Sequence, residues 1–540
     1  MPGVTYDRQV VYTLEGRVVT NVVTAPKPTG LYSLTPSLVG GAVQSRGRLT
    51  QLERGLSSSA TVAGVTGDVF PAGKGPSGLV EQNGALQGLP DPARSSFGIA
   101  PGGNLVVREV SYSADWRGTG PPEQLRGLNL PPHPGWTTLF TSRWGAVTPH
   151  SKGVLEAVLS PFPAAAPGAD LTGTVVRLAN GGGHRIPRNG AVLSARGGAR
   201  ARLRAEARPG TVVTVRLLLR NFAGIPNGLG GGPALVRNGH VVFNAGESFD
   251  PVQLARRLPR AAIGQRADGS ILLVSVDGPR AHSVGVTNFQ LAQTMKALGA
   301  VTAITTGTGK RVALAFNGTL LSHPAAGELP VSTALLLSYT GVEAPPLSVS
   351  VLSPNGDGVG DAEQLAYKVV RTSRVTAALV GPGGTSIPVV TNEERAPGTY
   401  VVRWSGSSQG KLQPEGQWAW RVSAVDTRGS SQAGQSFSLN TTLAGLNTRW
   451  VPPPVGATGQ RLQIGFGLDR PATVTVQIET RNGSVLKSLP AQVEPAGQVT
   501  MYWSGRVKGR RRLPRGRYQV QVTAVNSIGT MDLVQPFRVR

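Results

Sequence analysis

The chain has 540 residues, no cysteine, and 54 Lys and Arg against 29 Asp and Glu, a formal net charge of +25. Disulfides and Cys-ligated metals are excluded, and the length points to three or four domains. The 72 glycines and 42 prolines favour turns and strands over long helices, and no stretch is long and apolar enough to form a membrane-spanning helix.

The charge has two readings. It attracts polyanions, such as nucleic acid, anionic lipid or acidic cell-wall polymer. It also follows from a GC-rich genome that favours Arg, Ala, Gly and Val. No helix-turn-helix, zinc finger or RNA-binding aromatic motif accompanies it, so a specific nucleic-acid partner is not expected. Six scattered histidines without a His-x-x-x-His pair argue against a zinc site, and no Gly-x-Ser-x-Gly elbow occurs.

The chain opens Met-Pro-Gly-Val-Thr-Tyr, without the basic and apolar segments of a signal peptide. A cytosolic protein and a processed or mis-started form both fit that opening. Residues 1–40 read as a strand segment. Residues 41–343 are dominated by strand-like alternation with few helical windows. Asp250 is a candidate cap for a short helix carrying Val252 and Leu254. Asn288 is a candidate cap for a second, where Phe289, Ala292, Met295 and Leu298 recur near helical period. Between them Ser270–Val276 is apolar throughout its middle, as in a strand buried on both faces. Strand, turn, helix and strand in that order predict a β-rich α+β core.

Several motifs follow one another in this region. They are Val65-Thr66-Gly67-Asp68-Val69-Phe70, Pro76-Ser77-Gly78-Leu79, Phe97-Gly98-Ile99, Thr141-Ser142-Arg143-Trp144-Gly145, Gly230-Gly231-Gly232-Pro233, Arg237-Asn238-Gly239, Arg260-Ala261-Ala262-Ile263-Gly264, Val276-Asp277-Gly278, Ser283-Val284-Gly285 and Leu298-Gly299-Ala300. Their order and spacing over about residues 40–340 resemble the phosphodiester glycosidase domain, the family of the lysosomal uncovering enzyme. The resemblance implies splitting of a sugar-1-phosphodiester into free sugar and a phosphomonoester. Such chemistry needs a cationic or N–H cradle for phosphate and a carboxylate to move protons or hold a metal. Arg260 is the candidate cradle, because guanidinium matches phosphate bidentately. Asp277 and Asp68 are the candidate catalytic carboxylates. Thr66, Gly67, Ser283, Gly307, Gly309 and Lys310 are the expected substrate-binding positions around them. The structural alternative is that both aspartates are plain turn residues and Arg260 an internal ion pair.

The chain departs from the family pattern at three polar positions. Thr66 stands where an Asn is usual, Gly307 where an Asp is usual, and Thr333 where a second Asn is usual. Lys310 and Arg311 replace a Gly and a Ser in the same loop. A glycine neither transfers a proton nor ligates a metal, and losing a catalytic acid or base costs about a hundred- to ten-thousand-fold. The loop's remaining glycines are expected to hold an anion through backbone N–H groups, so that binding outlasts catalysis.

The last 200 residues contain a repeat. Tyr400–Asp426 and Thr500–Asn526 each read Trp-Ser-Gly, a Gly/Pro loop and a strand. Trp404 pairs with Trp503, Trp418 with Tyr518, Trp420 with Val520, Val422 with Val522 and Ala424 with Ala524, in alternation with polar residues. That is period two with one buried face, and an offset of 99 to 100 residues is one sandwich domain. Together with Ser353-Pro354-Asn355-Gly356-Asp357-Gly358, the repeat resembles the Ig-like module of bacterial surface proteins and of the flagellar hook-cap protein. That resemblance implies a spacer or attachment role outside the cytoplasm, and it favours the processed or mis-started reading of the N-terminus. Asn355, Asp357 and Asp361 alternate as oxygen ligands do in a loop for calcium or another divalent cation. The alternative is an Asx turn leading into the first strand. Lys508–Arg517 is the densest basic run and reads as a solvated hairpin loop.

The expected architecture is thus a β-rich α+β phosphodiester glycosidase-like domain (41–343) followed by two all-β Ig-like sandwiches (344–441 and 442–540). Two functions remain open. One is a secreted or surface hydrolase of sugar-1-phosphodiesters. The other is a degenerate relative that recognises sugar-phosphate or anionic cell-wall glycan without turnover.

Overall fold

The computed structural model describes residues 1–540 apart from 69, 71–72, 243–245, 280–281, 456–458 and 508–511. The first four residues of the basic run therefore lie outside the described residues. The chain divides into two compact units, Gly3–Thr340 and Gly341–Arg540 with Met1–Pro2. Strands dominate both.

Among the described residues the front unit contains four sheets, two of which hold the strands that end at Thr66, Arg260, Val276 and Thr308. One has seven antiparallel strands in the order Thr5–Thr13, Gly16–Ala25, Ile271–Val276, Arg260–Arg266, Ala300–Thr308, Ala234–Arg237 and His240–Val241. The N-terminal segment thus supplies two strands, and the second pairs from Thr20 opposite Val276 to Ala25 opposite Ile271. Ile271–Val276 is buried at every position, as its unbroken apolar run requires for a central strand. The helix Asn288–Ala297 covers one face of this sheet, and Leu291, Ala292 and Met295 pack on Val22, Leu272, Val274 and Ala303.

Two details of that helix differ from the sequence reading. Its cap is Thr287: the Thr287 hydroxyl accepts from Gln290 N at 3.1 Å, and Gln290 Oε1 accepts from Thr287 N at 3.0 Å, a complete capping box. Asn288 is instead the first helical residue and is fully buried. Phe289 is 49% exposed, and Leu291 packs inward beside Ala292 and Met295 in its stead. The short helix Pro251–Ala255 is capped by Asp250 as expected, through Oδ1 and Val252 N at 2.9 Å.

The other sheet has the order Thr319–Leu320, Leu314–Phe316, Thr61–Thr66, Thr333–Tyr339 and Tyr32–Leu38. The helix Leu49–Leu56 packs on it through Leu49. Five strands centred on Asn227–Gly230 form a third sheet, and eight strands, from Glu123–Gln124 at one edge to Gly127–Leu128 at the other, form a fourth. A large apolar core around Trp116, Leu139, Leu193 and Phe222 lies under these two.

In the rear unit the repeat predicted from Trp-Ser-Gly is present as two sandwiches. In the first, Ser373–Val380 pairs with Gly416–Asp426, Val375 opposite Ala424 and Ala377 opposite Val422. In the second, Ala472–Thr480 pairs with Gly516–Val525, Val474 opposite Ala524 and Val476 opposite Val522. The same register recurs with the offset read from the sequence. Trp418, Trp420, Val422 and Ala424 are buried, as are Val520, Val522 and Ala524, while Tyr518 is half-buried. Trp404 packs against Trp418 and Phe437, with ring centroids 4.9 and 5.6 Å away. Trp503 packs against Phe537 at 6.3 Å. Such aromatic clusters add to the area term that holds each small core together.

Candidate functional site

The loops that leave the strand ends Thr66, Ser95, Gly230 and Thr305–Thr308 enclose a polar cavity of about 340 Å3. Each wall has a local cause. Thr61–Thr66 ends where Gly67 crosses the neighbouring strand. A Cβ on Gly67 would meet Leu229 Cδ2 and Thr333 Oγ1 at 2.6 Å, so only glycine fits and the next residue, Asp68, turns into the cavity. Ser77 Oγ donates to Asp68 Oδ2 at 2.6 Å. Thr66 is not in the wall. Its hydroxyl accepts from Ala313 N at 2.9 Å and its carbonyl accepts from Thr306 Oγ1 at 2.9 Å, so it ties the ends of the two sheets together.

Asp91 begins a second wall. Its Oδ1 accepts from Ala93 N at 3.0 Å and its carbonyl from Arg94 N at 3.1 Å, an Asx turn that delivers Arg94 to the cavity ahead of the buried strand Ser95–Ile99. Arg94 lies with Cζ 4.5 Å from the centre of the Phe249 ring. Its Nε donates to Ser248 O at 2.9 Å and is 3.5 Å from Asp91 Oδ2. Both polar contacts are made through Nε.

The third wall is Gly230–Gly232. Their N–H groups donate to Leu79 O, Ser95 O and Thr305 O at 2.7, 3.2 and 2.9 Å. The glycines therefore give room, not free donors. A Cβ on Gly231 would lie 2.7 Å from Thr305 O. Behind this wall Glu247 is 4% exposed. Its Oε1 accepts from Ser95 Oγ at 2.8 Å and from Ala234 N at 3.0 Å, and its Oε2 from Ser95 N at 2.9 Å. One carboxylate thus pins two walls to each other.

The fourth wall is Thr305–Thr308. Gly307 lines the cavity, and a Cβ there would lie 3.2 Å from Gly67 O and 3.5 Å from Thr66 O. Gly309 N–H donates to Pro259 O at 2.9 Å, and neither Gly309 nor the exposed Lys310 lines the cavity. The anion cradle expected of this loop's N–H groups is thus not formed at Gly309.

Arg260 lies behind the cavity rather than in it. It is 1% exposed, and its guanidinium donates to the carbonyls of Gln253, Leu254, Arg256 and Val286 at 2.8–3.2 Å. Burial pulls its pKa down to about 10, so it stays charged at neutral pH. One contact leads forward: Nη1 donates to Thr308 Oγ1 at 3.3 Å, and Thr308 lines the cavity. A hydroxyl that accepts from a guanidinium keeps its own proton for a ligand and is polarised in that direction.

Asp277 and Ser283 form a separate cluster. Asp277 Oδ1 accepts from His323 N at 3.0 Å, and Oδ2 is 3.8 Å from His323 Nδ1. Ser283 Oγ donates to Asp277 O at 2.6 Å and accepts from Val19 N at 3.2 Å. Neither residue lines the cavity that contains Asp68. The strand Arg260–Arg266 lies between them, because Val276 and Thr308 sit on opposite sides of Arg260.

In the rear unit, Asn355 Oδ1 accepts from Asp357 N, Asp357 Oδ1 from Val359 N, and Asp361 Oδ1 and Oδ2 from Gly356 N and Gly358 N. These oxygens already bind the loop's own N–H groups, which is the Asx-turn arrangement. Among the described residues no group of three or more His, Cys, Asp or Glu is placed to hold a metal ion.

Sequence reasoning missed Asp91, Arg94, Glu247 and Gln253. The signal for the first two was the Asp91-Pro92-Ala93-Arg94 turn directly before the Phe97-Gly98-Ile99 motif. Glu247 stands in a segment without periodicity, and only the fold brings it under Ser95.

Residues 169–338 match the family model for phosphodiester glycosidase, and residues 454–527 match the FlgD Ig-like domain. Residues 169–338 thus resemble a phosphodiester glycosidase domain, and residues 454–527 resemble an Ig-like module of the FlgD type. The matched stretch holds the glycine and threonine walls and Arg260, while Asp68 and Arg94 precede it. No curated protein matches the chain. A hypothetical protein from Synechocystis has a similar fold, with 24% identity and a TM-score of 0.54, the match covering 62% of each chain. A Burkholderia pseudomallei protein matches at 20% identity over 59% of this chain and 74% of its own, with a TM-score of 0.49. The zebrafish N-acetylglucosamine-1-phosphodiester α-N-acetylglucosaminidase catalytic domain matches at 13% identity over 63% and 84%, with a TM-score of 0.34.

Proposed function

We propose that the cavity between Asp68, Arg94 and Thr308 recognises a sugar-1-phosphodiester within an anionic glycan, and that recognition rather than turnover is its main activity. The observation that carries this reading is the placement of Arg94 and Thr308 in one cavity with Asp68 and Asp91. The Arg94 guanidinium meets phosphate oxygens, and the Thr308 hydroxyl, polarised by Arg260, donates to the same anion. Carboxylates of Asp68 and Asp91 accept from sugar hydroxyls. The match to the phosphodiester glycosidase family supports the ligand class.

Replacement of the family's Asp by Gly307, and of its two Asn by Thr66 and Thr333, supports binding over hydrolysis. Thr66 and Thr333 keep a structural role in this chain: the Thr333 hydroxyl donates to Asp68 O, while the Thr66 carbonyl accepts from Thr306. One observation favours hydrolysis instead. Asp68 and Asp91 share the cavity, and paired carboxylates can divide the roles of acid and base. On that second reading Asp68 protonates the leaving phosphate oxygen and Asp91 activates water.

A sugar-1-phosphodiester decides between them. Binding that falls with added salt, without release of free sugar, supports recognition. Release of free sugar that Asp68→Asn abolishes would establish the hydrolase. The Ig-like modules support an extracellular or surface setting, where they act as spacers that present the cavity to wall glycan.

A further inference from the structure

The front unit holds another cavity, of about 400 Å3, walled by Pro101, Pro167, Phe222, Ile225 and Pro226 and by a single carboxylate, Glu81. It shares no lining residue with the site above, and nothing in the proposed function uses it. Glu81 lies on the short strand Val80–Gln82, opposite Gly228 on one side and Leu86 on the other. It is 2% exposed, and its Oε2 is buried without a hydrogen-bond partner. Burial alone pushes its pKa up to about 7. Core packing does not explain such a residue, because a buried carboxylate without a partner is unfavourable where a leucine of similar size would be favourable. The neighbouring glycine shows how the wall is built: a Cβ on Gly228 would lie 2.6 Å from Phe222 Cε1, so the Phe222 ring closes down on the strand beside Glu81. The loop from Phe222 to Pro226 forms the mouth, where Ala223 is exposed.

An apolar chamber of this size with one convergent polar group has the form of a small-molecule site. The polar group is an acceptor that lacks a donor, so the missing partner is an N–H or O–H group, and a charged N–H pairs most strongly with a carboxylate. We infer that this cavity binds a small organic amine, with the hydrocarbon body against Phe222 and the prolines and the ammonium donating to Glu81. The pairing is charge-assisted, which distinguishes an amine from an alcohol of the same shape.

Cyclohexylamine and cyclohexanol are the probes, titrated into the full chain and followed by saturation-transfer NMR. The amine is expected to bind at least about tenfold more tightly than the alcohol. Its affinity is expected to rise from pH 6 to pH 8, as the carboxyl ionises. Glu81→Gln is expected to remove the difference between the probes and the pH dependence. Ala223→Trp, which fills the mouth and leaves the carboxylate in place, is expected to abolish binding of both; it covers the case in which Glu81→Gln does not fold. Equal affinity for amine and alcohol, unchanged amine binding in either variant, or no binding of the amine to the wild type would overturn the inference.

Discussion

Glu247 offers the sharpest test of how the fold holds the cavity. Its two oxygens accept three hydrogen bonds, two from Ser95 and one from Ala234 N. Ser95 begins one wall of the cavity, and Ala234 follows the glycine wall. Glu247→Gln keeps one acceptor oxygen, which can serve Ser95 Oγ and Ala234 N. It sets an NH2 against the Ser95 N–H, donor facing donor. A buried donor left without an acceptor costs about 1–3 kcal/mol. Glu247→Ala leaves all three donors unpaired and opens a void, for a loss of roughly 3–5 kcal/mol. At about 2 °C per kcal/mol for a large domain, calorimetry of the intact chain should show the front unit melting a few degrees lower for Gln and roughly 6–10 °C lower for Ala. Ligand affinity should drop in the Gln variant although Glu247 does not line the cavity, because Ser95 and the glycine wall lose their common anchor. A Glu247→Ala protein that melts and binds as the wild type does would refute this reasoning.

Other expectations follow from the same geometry. Arg94→Gln should weaken binding of a sugar phosphodiester about tenfold, most strongly at low salt, and leave the melting temperature within about 1 °C. Arg260→Gln should do the reverse in emphasis and lower stability by roughly 3 kcal/mol or more, since Arg260 bridges four backbone carbonyls; thermal melts of both variants separate the two. Glu53 is 1% exposed, and burial pushes its pKa up from 4.5 to about 8. A carboxyl raised on folding binds more protons in the folded than in the unfolded state, so stability falls as pH climbs from about 4.5 to about 8. Glu53→Gln, which can still accept from Gly318 N, should flatten that descent in urea titrations, with a gain of up to about 5 kcal/mol above pH 8. Millimolar calcium, sufficient for extracellular calcium modules, should leave the melting of the rear unit unchanged; a rise would show that Asn355, Asp357 and Asp361 exchange their N–H partners for the ion.

The rear unit was legible because its signal is local. Period-two burial and the Trp-Ser-Gly repeat depend on neighbours in sequence, and the paired registers of Val375–Ala424 and Val474–Ala524 carry them into three dimensions. The front unit was legible as strands and glycine turns, and the requirement for glycine at position 67 has a steric cause. The site was less so. Asp68, Asp277 and Arg260 look alike in sequence, each charged and beside a strand end, yet one faces the cavity, one faces His323 and one is enclosed by carbonyls. Strand parity decides between them: Arg260 and Ser275 point to opposite faces of one sheet, and a bulge between Ala261 and Ala262 shifts the phase in a way that composition does not reveal. Arg94 came from a turn more than 160 residues before Arg260, a distance over which no spacing rule operates. The helix cap shows the same limit at small scale, since Thr287 and Asn288 are both good caps and the choice fell to the pairing of Thr287 with Gln290.

The central claim is that Arg94 makes the cavity a phosphodiester site. Isothermal titration of the full chain with a sugar-1-phosphodiester, compared with the same sugar lacking phosphate, tests it directly. The account predicts one binding site that prefers the phosphodiester, weakens as salt is added, and loses that preference in Arg94→Gln. Equal binding of both sugars, or a preference that survives Arg94→Gln, would contradict it.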